Sequence, residues 1–202
     1  MDYKYTFPKD IMIFDLETTS RWPEDGGKIS EFGCVILDKH TLETKDLFHV
    51  YVKIDQEDYD NSSDFIKEFH KDRWDYYLGK SIPQDRVAIN QDQLIPLLIE
   101  KFGQYKNLLT ISSWNLEFDF SWLRHYFYIY NQMEFFDKVT YNRFDLKSLF
   151  TALMIFDKRY SFDVRSKTIS NLFGVAEEVA HDALIDSVNE AALFVKFCEL
   201  SA

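Results

Sequence analysis

The sequence predicts an α/β protein with a mixed five-stranded β-sheet flanked by helices, and three observations carry that expectation. Short apolar runs come first, at 11–16, 29–38 and 46–54. Helical periods dominate afterwards, and one further apolar run at 108–114 lies between two of them. Finally, 46% hydrophobic against 28% charged residues in 202 positions is enough apolar material for a core, in a chain of single-domain length. One domain over 1–202 is therefore expected, with an acidic insertion or helical region at about 55–78.

The first element is Ile11-Met12-Ile13-Phe14-Asp15-Leu16, a buried strand whose far end turns acidic. Pro23, Gly26 and Gly27 mark a turn after it. The runs at 29–38 and 46–54 are rich in Val, Ile and Phe around a polar connection, which reads as a hairpin. Residues 55–75 carry eight acids and three bases, a net −5, and are expected to form a loop and one helix on the solvent side. Leu94, Leu97, Leu98 and Phe102 then fall at helical spacing, with Gly103 near the end. After the strand at 108–114, Trp122, Leu123, Tyr126, Phe127 and Tyr130 form the apolar stripe of a helix over 117–130. Further helices are expected at 145–156, at 168–173 before Gly174, and at 183–200.

Composition excludes several classes. Six Gly and four Pro rule out a collagenous or low-complexity chain. The first ten residues lack a signal-like apolar stretch, and no segment approaches eighteen uninterrupted apolar residues, so neither a membrane span nor a membrane partner is expected. Cys34 and Cys198 stand far apart inside apparent secondary structure, which reads as reduced thiols in a cytoplasmic protein, with a disulfide left as the alternative. A formal charge of −11 weighs at first against nucleic acid, whose phosphates call for basic surface.

Three groups of residues stand out chemically. Asp15-Leu16-Glu17 places two carboxylates on one side of a strand end, where they repel unless they share a proton or a hard divalent cation. Solvated strand-end acids are the plain alternative. Asp119 follows the strand at 108–114 and shares the spacing of the apolar helical stripe, so its carboxylate faces the packed side and needs a cation or donors. It would also serve as a first-turn acid favoured by the helix dipole. In His181-Asp182-Ala183-Leu184-Ile185-Asp186, Asp182 suits a helix N-cap, Asp186 falls one turn inside, and His181 sits on the preceding loop. A His there is placed to take a proton near neutral pH, although a lone His is more often structural. His40, His49, His70 and His125 lack such company and read as structural.

Taken together and in order, these segments resemble the DEDDh family of 3′–5′ exonucleases, which includes polymerase proofreading subunits, ribonuclease T and oligoribonuclease. The first motif is Phe14-Asp15-Leu16-Glu17-Thr18-Thr19 with Ile29-Ser30-Glu31-Phe32-Gly33, and the second is Asn115-Leu116-Glu117-Phe118-Asp119-Phe120. The third is Ile169-Ser170-Asn171-Leu172-Phe173-Gly174 leading into His181 and Asp186. The likeness spans about residues 10–198, with two departures: Trp114 where the family often has His, and Ser20 where it often has Gly.

The resemblance implies a ribonuclease H-like fold and hydrolysis assisted by two Mg²⁺ or Mn²⁺. It assigns Asp15, Glu17, Asp119 and Asp186 to the metals and makes His181 the general base. It also places Thr18 and the backbone of Leu16 and Glu17 at the terminal 3′ hydroxyl. Asn115, Phe118 and Lys167 join them as candidate substrate contacts, and Trp114, Phe118, Phe120 and Trp122 as stacking surfaces that would equally serve the core. The implied substrate is the 3′ end of single-stranded DNA or RNA, DNA favoured, released as nucleoside 5′-monophosphates. A polymerase or other protein partner is compatible with the same resemblance. A catalytically idle protein-binding module on this fold, and an oligoribonuclease-like enzyme for very short oligomers, are the alternatives. The charge objection weakens on inspection, because residues 138–167 hold seven bases and three acids, a net +4 leading toward His181.

Overall fold

β1 (Asp10–Thr18) is the strand on which the rest of the molecule is organised. In this computed structural model, which describes residues 5–105, 109–156, 163–175 and 181–200, it lies at the middle of a six-stranded sheet of order β4-β3-β2-β1-β5-β6. β1 runs antiparallel to β2 (Ile29–Leu37), which pairs antiparallel with β3 (Thr44–Val52), so the expected hairpin is present. On its other side β1 pairs parallel with β5 (Leu109–Ser113).

Two very short strands complete the sheet. β4 (Ala88–Ile89) pairs parallel with β3, and β6 (Arg143–Asp145) pairs parallel with β5. The count is therefore six rather than five. Runs of two and three residues are too short to show a period of two, so only their pairing reveals them. The helix α6 (Met133–Thr140) is likewise absent from the sequence expectation; it buries Phe136, Val139 and Thr140.

The strand period decides which residues meet which helices. Met12, Phe14 and Leu16 of β1 point to the face covered by α4 (Gln91–Gly103), α5 (Leu116–Ile129) and α6. Ile11 and Ile13 point to the opposite face, against α7 (Leu146–Phe156) and α9 (Ala183–Leu200). Continuing that alternation puts Asp15 and Glu17 on the α9 side. α8 (Ser166–Phe173) packs outside through Ile169 on Phe150 and Leu193.

The acidic region departs from expectation in number and in place. It forms three short helices, α1 (Gln56–Asn61), α2 (Asp64–Phe69) and α3 (Trp74–Tyr77), rather than a loop and one helix. Ser63 caps α2 and Asp55 closes a capping box on α1, so the polar residues that look like solvated loop are helix starts. Trp74 and Tyr77 pack with Tyr51 and Ile54 in a separate small core that fastens this segment to β3. Its inner side faces the acids of β1 rather than solvent. Cys34 and Cys198 are both buried and free.

Candidate active site

The sheet topology gathers residues distant in sequence at the end of β1. Asp15 and Glu17 leave β1 on the α9 side, and α9 presents Asp186 one turn from its start. Ligand atoms of Glu17, His181 and Asp186 lie within 4.8 Å of one another. Asp119 arrives from the first turn of α5, where it is 3% exposed. Its Oδ2 accepts a hydrogen bond from Ser113 Oγ at 2.8 Å, while Oδ1 has no partner although it is buried.

Helix α9 is held in position from its first turn. Glu31 Oε1 on β2 accepts from the backbone N–H of Ala183 at 3.1 Å. Asp182 Oδ1 caps the helix through the Ile185 N–H at 3.0 Å, as the sequence predicts, and its Oδ2 accepts from Arg73 Nη1 at 2.9 Å. Gly33 allows the backbones to touch: a Cβ there would stand 2.2 Å from the carbonyl carbon of Ala183. His181, just before the helix, has φ +42°, an uncommon conformation for a residue with a side chain and one that concentrates at functional sites.

The electrostatics are those of crowded acids. Burial first, and then Asp119, Glu17, Glu190 and Asp186, push the Asp15 carboxyl well above the usual range. Burial and then Glu31 and Asp186 do the same to Glu17, against the pull of Arg73. Burial raises Asp119 to about 7, with the Ser113 hydroxyl opposing. His181 is pushed down by burial and by Arg73, which favours its neutral, proton-accepting form.

Two cavities meet at these residues. One of about 830 Å³ is lined by Asp15, Leu16, Glu17, Thr18, Phe118, His181 and Asp186, with Phe65, Phe69 and His70 as its far wall. The other, about 440 Å³, is lined by Asp15, Asn115, Phe118, Asp119, Lys167, His181 and Asp186, together with Trp114 and Glu190. All ten candidate site residues thus border one cavity or both. Trp122 does not: it is fully buried in the core. Phe120 packs on Phe136, with ring centroids 5.0 Å apart.

Beside the acids, the Thr19 N–H bonds to Lys28 O at 2.9 Å, and the Thr18 hydroxyl donates to Ser20 O at 2.8 Å. His70, expected to be a structural bystander, belongs to the site. Its Nε2 lies 3.2 Å from Thr18 O and 3.6 Å from Glu17 Oε2. A carbonyl oxygen only accepts, so Nε2 carries the proton, and burial lowers this imidazole to about 4. Sequence spacing gave no warning, since His70 reaches the site through the small core around Trp74 and Tyr77. Phe69 rests on the His181 ring, centroids 4.1 Å apart. Among the bases of 138–167, Arg165 is tied to Asp163 and Lys138 to Glu134, while Lys167 borders the smaller cavity. Lys158 and Arg159 lie outside the described residues.

Glu190 is the acid that sequence reading missed. It stands one turn beyond Asp186 on α9, is 4% exposed, and its Oε2 accepts from the Trp114 N–H at 3.0 Å. Burial, then Asp119 and Asp186, raise its carboxyl well above the usual range. The i, i+4 step from Asp186 was the available signal.

The donor set suits a hard divalent cation. Carboxylate oxygens of Glu17 and Asp186 meet the His181 imidazole, Asp15 and Asp119 border the adjoining cavity, and the buried, unpartnered Asp119 Oδ1 is the kind of atom a cation satisfies.

The fold is similar to that of solved exonucleases, and one family model matches part of the chain. Residues 12–75, which hold most of β1, all of β2 and β3 and the Asp15-x-Glu17 pair, match the RNase_T family model, described as Exonuclease. Among solved structures, the nuclease domain of 3′hExo, a DEDDh family member bound to rAMP, superposes with a TM-score of 0.68 at 20% identity over 96% of this chain and 94% of that one. Escherichia coli exonuclease I in complex with a dT13 oligonucleotide gives 0.73 at 16% identity over 95% of this chain and 41% of its own. The cell-death related nuclease 4 (CRN-4) gives 0.64 at 15% identity, covering 96% and 65%. No curated protein sequence matches the chain.

Proposed function

We propose that the protein is a metal-dependent 3′–5′ exonuclease that hydrolyses the terminal phosphodiester of single-stranded nucleic acid, DNA favoured over RNA, and releases nucleoside 5′-monophosphates. The observation that carries the reading is the convergence of Glu17, His181 and Asp186 within 4.8 Å beside Asp15 and the buried Asp119.

Two Mg²⁺ or Mn²⁺, when bound, would stabilise charge on the attacking and leaving oxygens of an in-line displacement. Asp15, Glu17, Asp119 and Asp186 are the side chains to hold them. His181, on the cavity side of the α9 start, accepts a proton from the attacking water as the new phosphorus–oxygen bond forms. The phosphorus–O3′ bond breaks, and the departing oxygen takes a proton from solvent. Phe118, Phe65 and Phe69 give the cavity apolar surface suited to a base, and Thr18 and Leu16 line the same cavity, where they would meet the terminal sugar.

The test is digestion of matched single-stranded DNA and RNA carrying a label at either end, with Mg²⁺, with Mn²⁺ and with EDTA. The expected outcome is stepwise loss from the 3′ end that requires metal, is faster on DNA, and is abolished in Asp15→Ala. Full activity in EDTA would refute the proposal, and faster cutting of dinucleotides than of twenty-residue strands would favour the short-oligomer alternative.

A further inference from the structure

Four acids account for the proposed metal centre, yet the smaller cavity is bordered by a fifth. Glu190 follows Asp186 by one turn of α9, so the two carboxylates stand on the same side of the helix, about 5–6 Å apart at Cβ. Glu190 Oε2 is anchored by the Trp114 N–H at 3.0 Å, which fixes the carboxylate at the exit of β5 and leaves Oε1 for a ligand. Across the same cavity, Asp119 Oδ1 is buried with no partner. Lys167 borders the cavity too, but it is exposed and none of its contacts ties it to Glu190.

A buried carboxylate facing others is costly in isolation, and a helix this apolar has a ready substitute at position 190 in Leu or Met. If Glu190 only pinned β5 to α9, a neutral acceptor would serve equally well. The acid is explained by a cation on its side of the site.

We propose that Glu190 is a further carboxylate of the metal centre, which holds the cation on the Asp119 side together with Asp15 and Asp119, so that both cations bind before substrate does. This inference rests on the metal-dependent reading above, and it assigns Glu190 a role beyond the four acids of the sequence motif.

Binding of Mn²⁺ to the full chain without nucleic acid, followed by titration calorimetry and by the loss of the free-ion paramagnetic resonance signal, tests it. Glu190→Gln keeps an oxygen for the Trp114 N–H and removes only the charge. Two Mn²⁺ per chain are expected for the unaltered protein, and at least a tenfold weaker second site in Glu190→Gln. Thermal melting gives an independent readout: in EDTA the variant melts at or above the unaltered protein, whereas Mn²⁺ raises its midpoint less. Equal affinity and an equal metal-induced rise would overturn the proposal and leave Glu190 a structural pin. Absence of Mn²⁺ binding by the unaltered protein would overturn the metal-dependent reading as well. Should Glu190→Gln not fold, Glu190→Asp decides: a weakened second site supports the role, and unaltered affinity refutes it.

Discussion

Asp119 shows in one side chain what gathering buried acids at one site costs. One oxygen is satisfied by Ser113 and the other is buried without a partner, among acids that raise one another's affinity for protons. Its folded-state value of about 7 exceeds the ordinary 3.8, so the folded chain binds this proton more tightly than the unfolded chain does. Stability from the bound proton is therefore complete below about pH 4 and is lost as pH rises through about 7. Asp15, Glu17 and Glu190 shift the same way. In EDTA the melting temperature should accordingly fall between about pH 5 and pH 8, and Mg²⁺ should restore it most at the upper end. A calorimetric pH series with and without metal checks this, and a flat EDTA series would contradict it. His181 separates proton transfer from metal binding. His181→Ala is expected to lower turnover by about 10²–10⁴-fold. Mn²⁺ should still bind, because the carboxylates remain.

At the scale of elements, the site depends on how the start of α9 is seated, and two substitutions probe that seating without touching an acid of the metal set. Gly33→Ala would drive a Cβ to 2.2 Å from backbone carbon of Ala183, where no flexible side chain can yield. A loss of about 3 kcal/mol in urea unfolding is expected, with a drop in activity as Asp186 shifts. Arg73→Met should cost about 3 kcal/mol by removing the nearer of the two arginines beside Asp182, which is 3% exposed, and leaving it only Arg86 at 3.8 Å. Arg73→Lys should recover part of that loss. These contacts also mark where sequence reasoning reaches its limit. β1, α5 and α9 were legible because each repeats a period that burial imposes, and the acids at their ends inherit fixed positions from it. Nothing periodic announces that Arg73 of the acidic region reaches Asp182, or that Glu31 bonds the Ala183 N–H across 152 residues. Those pairings are tertiary, and α1 to α3 are too short for helical periodicity to reveal which side faces inward.

For the whole molecule, the arrangement of charge defines how substrate can be gripped. The chain carries −11 overall, and −5 of it lies in residues 55–75, the same region whose Phe65 and Phe69 wall the larger cavity. Phe65 is 72% exposed beside acids that repel a phosphate backbone, so this side offers stacking rather than charge. Among the described residues, the Lys and Arg side chains bordering the two cavities are Arg21 on the larger and Lys167 on the smaller. A strand end of a few nucleotides fits that pattern, whereas a long duplex would meet the acidic surface. Salt dependence measures the difference. For single strands the slope of log K against log salt is about −0.7 per phosphate neutralised, so two or three contacts predict a slope of about −1.4 to −2.1. Binding of a labelled oligonucleotide to the inactive Asp15→Asn variant in Ca²⁺, across a salt series, supplies the slope. A value steeper than about −4 would reveal a wide phosphate-binding face and overturn the small footprint. With the shallow slope, Lys167→Ala should flatten it by a further ~0.7, and Phe65→Ala should weaken binding equally at every salt concentration, because stacking releases no counterions.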